Sequence, residues 1–162
     1  MGGIYHGKYR GSGKVQVVHT IIHLDNFTAS NRQVMRLINR VPMTNFMGAP
    51  IASVNVEGLE LKMFVDTGAK LSYVERSITA KHSPVGKEKD FHPGIGEFET
   101  QVFEIPFQLG GQQFNLRCGV LPKLLEKALL VTGSKGIIGT ELYQKFIVCL
   151  AYPENAIYLE RI

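Results

Sequence analysis

The sequence predicts a mainly β fold, and three observations carry that prediction. Valine, isoleucine and phenylalanine gather in short runs, several of which alternate apolar with polar residues, the period of a strand with one face in a core. Turn signals separate the runs, among them Glu57-Gly58, Gly110-Gly111 and Pro153-Glu154-Asn155. Seventeen glycines in 162 residues suit a chain of many tight turns, and the length fits one domain with an appendage.

The elements follow in order. Residues 1–14 are glycine-rich and read as a flexible start. "VQVVHTIIHL", residues 15–24, reads as a strand. "SNRQVMRLINRV" reads as a short helix: Val34, Leu37, Ile38 and Val41 share one helical face, Ser30 and Gln33 form a capping box, and Pro42 follows the last periodic residue. Residues 1–45 are therefore an expected strand-helix extension, and 46–162 the main domain. From Ala49 a hairpin turns at Glu57-Gly58, and its second strand becomes continuously apolar at Met63-Phe64-Val65. "KLSYVERSI" gives a short second strand ending near Glu75, and residues 80–90 read as a charged loop. "HPGIGEFETQVFEIPFQLGGQQFNLRCGVLP" predicts two hairpins, turning near Pro93–Gly96 and at Gly110-Gly111. "KLLEKALL" is a short helix, "GIIGTELYQKF" a strand end, a glycine and a helix, and the chain closes with a hairpin over "IVCLAYPENAIYLERI".

Composition excludes several functions. The longest apolar runs are too short for a membrane span and no segment has the layout of a signal peptide, so no membrane is expected and the cytoplasm is the default compartment. Cys118 and Cys149 lie in apolar strand-like runs and read as buried thiols. His19 and His23 are four apart, but on a strand that spacing holds them far from each other, so no metal and no cofactor is expected. Six basic residues stand against Asp25 alone in residues 1–45. Without interleaved aromatics or a recognisable motif, this reads as a solvated surface and not as a nucleic-acid site.

The informative stretch is "KMFVDTGAKLSYV", Lys62 to Val74. An apolar run ends in Asp66, and a carboxylate at the end of a buried strand is costly unless donors hold it. Thr67 and Gly68 allow a sharp turn with amides facing the carboxylate, and Ser72 on the next strand can brace the loop. A β-turn aspartate is the plain alternative for Asp-Thr-Gly alone.

The stretch resembles the active-site loop of the single-lobe, retropepsin-like aspartic proteases. Three more segments match in order: the hairpin before Asp66, "HPGIGEF" with Gly94, Ile95, Gly96 and Phe98, and "GIIGTELYQKFIVCLAY" with Ile137, Ile138 and Gly139. Together they run from Ala49 to the C-terminus. The resemblance implies a closed, orthogonal β-barrel-like lobe with one short C-terminal helix. It implies Asp66 as catalyst, Thr67, Gly68, Ala69 and Ser72 as its loop, and Gly94, Ile95, Gly96 and Phe98 as a flap over substrate. Ile137, Ile138 and Gly139 become the strand threading behind the loop, the glycine letting two backbones cross.

Hydrolysis of a peptide by carboxylates needs two of them, one ionised and one protonated. The chain has three aspartates, Asp25, Asp66 and Asp90, and only Asp66 ends an apolar strand at a Thr-Gly turn. The expected partners are thus an extended polypeptide substrate and a second copy of the chain, paired on a two-fold axis at the site. The alternative is a non-catalytic peptide-binding module on the same fold. Three features depart from the minimal family pattern: the 1–45 extension, Lys70, expected to point to solvent, and "KLLEKALLVTGSK", expected to be a surface elaboration.

Overall fold

The computed structural model describes residues 4–5, 21–23 and 39–162. Of the expected flexible start only Ile4–Tyr5 is described, and it is a strand; the rest of that segment, the capping box at Ser30 and the helical positions Val34, Leu37 and Ile38 lie outside them. Twelve strands form one sheet: β1 Ile4–Tyr5, β2 Ile21–His23, β3 Asn39–Phe46, β4 Ala49–Val56, β5 Leu59–Val65, β6 Ser72–Val74, β7 Gly86–His92, β8 Gly96–Leu109, β9 Gln112–Val120, β10 Gly136–Ile138, β11 Phe146–Ala151 and β12 Ala156–Arg161. Among the described residues three short α-helices interrupt them: α1 Arg76–Thr79, α2 Lys123–Leu129 and α3 Leu142–Lys145.

The neighbours β4-β5-β10-β6-β9-β8 close on themselves through pairing of Asn55 with Gln108 and Val56 with Phe107, which makes a barrel. Its interior is filled from the alternate positions that the sequence marks: Val54, Val56, Met63, Ile105, Leu116 and Ile138 are each completely buried. Outside the barrel, β3, β12, β11, β2 and β1 continue the sheet in that order. At the other end β7 pairs with the first half of β8 as a long hairpin. Cys118 and Cys149 are buried, and burial raises both thiols, Cys149 to about 11. Among the described residues, no helix is long and apolar enough to cross a membrane.

Two readings of local structure change. Asn39–Val41, expected at the end of a helix, begin β3, which pairs with β4 on one side and β12 on the other. Val41 satisfies both periods: four residues from Leu37 it completes a helical face, and two from Met43 it completes a strand face. Val41 and Met43 are both buried, so the strand period wins. The turn to β4 is Met47-Gly48, with φ of 52° and 88°, and Asn45 Oδ1 accepts from the Gly48 N–H at 2.9 Å. The expected boundary after residue 45 falls inside β3, and we propose that the lobe begins no later than Asn39. The second change is Gly86–Asp90, expected in a loop and found in β7. Its exposed, charged residues hide the strand because neither face enters a core, as suits an edge strand.

Candidate active site

Asp66 stands at the end of β5, where three strands fix the backbone. β10 lies between the two arms of the loop, parallel to β5 with Val65 opposite Ile138, and antiparallel to β6 with Ile137 opposite Tyr73. Beyond the last ladder pair, the Asp66 N–H donates to the Ile138 carbonyl at 2.9 Å. Asp66, Thr67 and Gly68 are exposed on the single chain, and the Gly68 N–H donates to Asp66 Oδ1 at 2.8 Å.

Beneath the loop, buried groups hold it to the chain threading behind. Ser72 Oγ accepts from the Gly139 N–H at 3.0 Å, and the Ala69 carbonyl accepts from the Thr140 N–H at 2.8 Å. The Thr140 hydroxyl also donates to the Lys70 carbonyl at 3.2 Å. Ser72 is fully buried, so Ser72→Ala leaves an amide without its acceptor. That change should cost about 1–3 kcal/mol, read as a lower urea midpoint at unchanged slope. From α3, Tyr143 feels the loop: burial first, and then the Asp66 charge, push its hydroxyl well above the ordinary tyrosine range.

The β7–β8 hairpin carries Gly94, Ile95, Gly96 and Phe98. At its tip the His92 carbonyl accepts from the Ile95 N–H at 2.9 Å and His92 Nδ1 accepts from the Gly94 N–H at 3.1 Å. Gly96 has φ +86°, where a side chain would be strained. Phe98 packs on Tyr73, with ring centroids 6.1 Å apart. The Tyr73 hydroxyl donates to Asp90 on β7, tying the hairpin to the strand after the Asp66 loop.

Lys70 is exposed, yet it is engaged: its Nζ lies 3.0 Å from Glu88 Oε2. Arg117 from β9 grips the same carboxylate, and Lys70 foremost, with Arg117, holds Glu88 below the ordinary glutamate range. Lys70 was expected to point to solvent, and its side chain is 71% exposed; the pairing with Glu88 of β7 is a long-range contact that the sequence does not display.

A cavity of about 500 Å³ opens beside Asp66 and Thr67. Its walls are mainly apolar, with Phe64, Ile137, Leu125 and Leu129 on them, and His92 and Tyr152 bring polar atoms. Leu125 and Leu129 come from α2, so this helix contributes to the groove as well as to the surface. Sequence reasoning missed them and His92, although the apolar spacing of "KLLEKALL" marks an amphipathic helix that needs a face to cover.

Neither a protein-family model nor a curated protein sequence matches the chain. Solved structures do match. A retropepsin-like aspartic protease from Rickettsia conorii superposes with a TM-score of 0.51 at 16% identity, covering 75% of this chain and 90% of that one. The simian foamy virus (mac) protease gives 0.43 at 15% identity over 56% of this chain and 88% of that one. The foamy viral protease-reverse transcriptase, solved with an RNA/DNA hybrid, gives 0.44 at 16% identity over 64% of this chain and 11% of that one. The barrel, the crossing of β5, β6 and β10, and the Rickettsia superposition define the class: the fold is retropepsin-like.

Proposed function

We propose that the chain is an aspartic endopeptidase that acts as a homodimer, with Asp66 from each copy forming one shared dyad. The observation that carries this reading is the loop itself. A carboxylate is fixed by the β5–β10–β6 crossing at the edge of an apolar groove that His92 of the β7–β8 hairpin also lines.

The chemistry explains why one copy is not enough. One carboxylate must be ionised to take a proton from water, and the other protonated to donate a hydrogen bond to the scissile carbonyl. Water oxygen then bonds to the carbonyl carbon, the nitrogen gains a proton, and the C–N bond breaks. Among the described residues no second aspartate fits the part, since Asp90 lies on β7 and is engaged by Tyr73, and in the sequence Asp25 ends no apolar strand at a Thr-Gly turn. Two Asp66 carboxyls across a two-fold axis would share one proton, because both resist carrying charge so close together.

An extended polypeptide would lie in the groove as an added strand, with the β7–β8 hairpin closing over it. The apolar wall of Phe64, Ile137, Leu125 and Leu129 favours apolar side chains beside the cut. Activity should therefore depend on protein concentration. In a dilution series against a broad peptide library, specific cleavage should fall as sedimentation shows dimer giving way to monomer. A monomer that cleaves at full specific activity would overturn the shared site, and a dimer that binds peptides without cutting any would overturn the enzyme.

A further inference from the structure

The tip of the β7–β8 hairpin hangs on one imidazole. Pro93 has no N–H, and the next two amides, Gly94 and Ile95, both donate to His92, one to Nδ1 at 3.1 Å and one to the carbonyl at 2.9 Å. Gly94 lies against the ring, since a Cβ there would be 3.4 Å from both Cε1 and Nδ1. His92 is half-buried and lines the same cavity as Asp66 and Thr67.

Nδ1 can accept a hydrogen bond only in the neutral imidazole whose proton sits on Nε2. In the imidazolium both nitrogens are donors, so Nδ1–H would face the Gly94 N–H and this bond would be lost. Histidine is the side chain whose charge ordinarily changes between about pH 5 and 8. We infer that His92 is a positioning residue: neutral, it holds the turn at the hairpin tip through the Gly94 amide, and protonated, it releases that turn. This rests on reading the hairpin as a flap over substrate.

The groups that face His92 reinforce the direction. The cavity that His92 lines is also lined by Asp66 and, from the turn between β11 and β12, by Tyr152, whose hydroxyl donates to the Gly48 carbonyl at 2.9 Å. On its own hairpin, Asp90 lies two residues back on the same face, engaged by Tyr73, and Glu88 lies four back, while Glu97, opposite Phe91, is on the other face. The cations on this face, Lys70 and Arg117, are already paired with Glu88. An imidazolium would be drawn toward the carboxylates and away from the Gly94 amide.

The test follows the Gly94 amide and the His92 ring by NMR on the full chain from pH 8 to pH 5, in the wild type and in His92→Asn. An asparagine oxygen accepts from the amide two residues on at any pH. The Gly94 resonance should move with the His92 ring resonance in the wild type and stay put in the variant. A Gly94 amide that ignores His92 protonation, or moves equally in His92→Asn, overturns the inference. On a cleaved peptide, KM should rise about two- to tenfold as pH falls through the same range. That rise should vanish in His92→Asn, and His92→Leu should carry the higher KM at every pH. A KM rise that persists in His92→Asn also overturns the inference. Absence of all cleavage would count against the enzyme alone, since the spectra still decide the tip.

Discussion

Asp66→Asn should lower peptide cleavage about a thousandfold or more, the scale on which a positioned acid–base group acts, while the fold stays intact. The fold should survive because Asp66 is exposed and the bond its side chain accepts, from the Gly68 N–H at 2.8 Å, can be accepted equally by an asparagine oxygen. Activity should not survive, because an amide neither takes a proton from water nor shares one with a twin. In the proposed dimer the substitution removes both carboxyls at once. Mixing sharpens the expectation. If wild-type and variant chains are unfolded together and refolded, only dimers with two wild-type chains should cleave, so activity should follow the square of the wild-type fraction. A linear fall would mean that each chain acts by itself. Circular dichroism and sedimentation on the variant exclude the trivial loss. A variant that cleaves at the wild-type rate would remove Asp66 from the chemistry.

The loop was legible because its signals are local. An apolar run, Asp-Thr-Gly and a serine four residues beyond the glycine are contiguous, and the structure brings Ile137, Ile138 and Gly139 against them. Hairpins with glycine or asparagine turns were legible for the same reason. The turns at Glu57-Gly58 and Gly110-Gly111 have positive φ at both residues, and Asn155 has φ 48°. Long-range features were not legible. Barrel closure rests on β4 meeting β8 about fifty residues on, and nothing in either strand names the other. The groove depends on Leu125 and Leu129 of α2 converging with Phe64 and His92, four positions on three elements. β7 was obscured by its own composition: "GKEKDFH" has no apolar alternation to read, because an edge strand with two wet faces needs none. Its charges have a structural use that only the fold reveals, since Glu88 and Asp90 moor the hairpin to Lys70, Arg117 and Tyr73.

Gly139→Ala should be among the most damaging single methyls in the lobe. The residue follows β10 at the point where it passes behind the Asp66 loop. A Cβ there would lie 2.7 Å from the Ala69 carbonyl oxygen and 2.7 Å from both the carbonyl carbon and oxygen of Leu71. These are backbone atoms, so no side chain can swing aside to relieve the overlap. The loop cannot retreat without cost either, because Ala69 already accepts from Thr140 and Ser72 from Gly139 itself. Overpacking of this kind costs about 3 kcal/mol, the upper end of the usual range. Spread over a chain of this size, that lowers the melting temperature by roughly 6–12 °C. The matched control is Gly86→Ala at the start of β7, where a Cβ meets nothing within 4 Å and φ is not positive, so the melting temperature should barely move. Calorimetry on the two variants decides the point. Equal melting of Gly139→Ala and wild type would mean that the close crossing of backbones is not what holds the loop. If the crossing does hold it, the surviving folded fraction of Gly139→Ala should also cleave poorly below its melting point, because the strain can relax only by shifting the segment that carries Asp66.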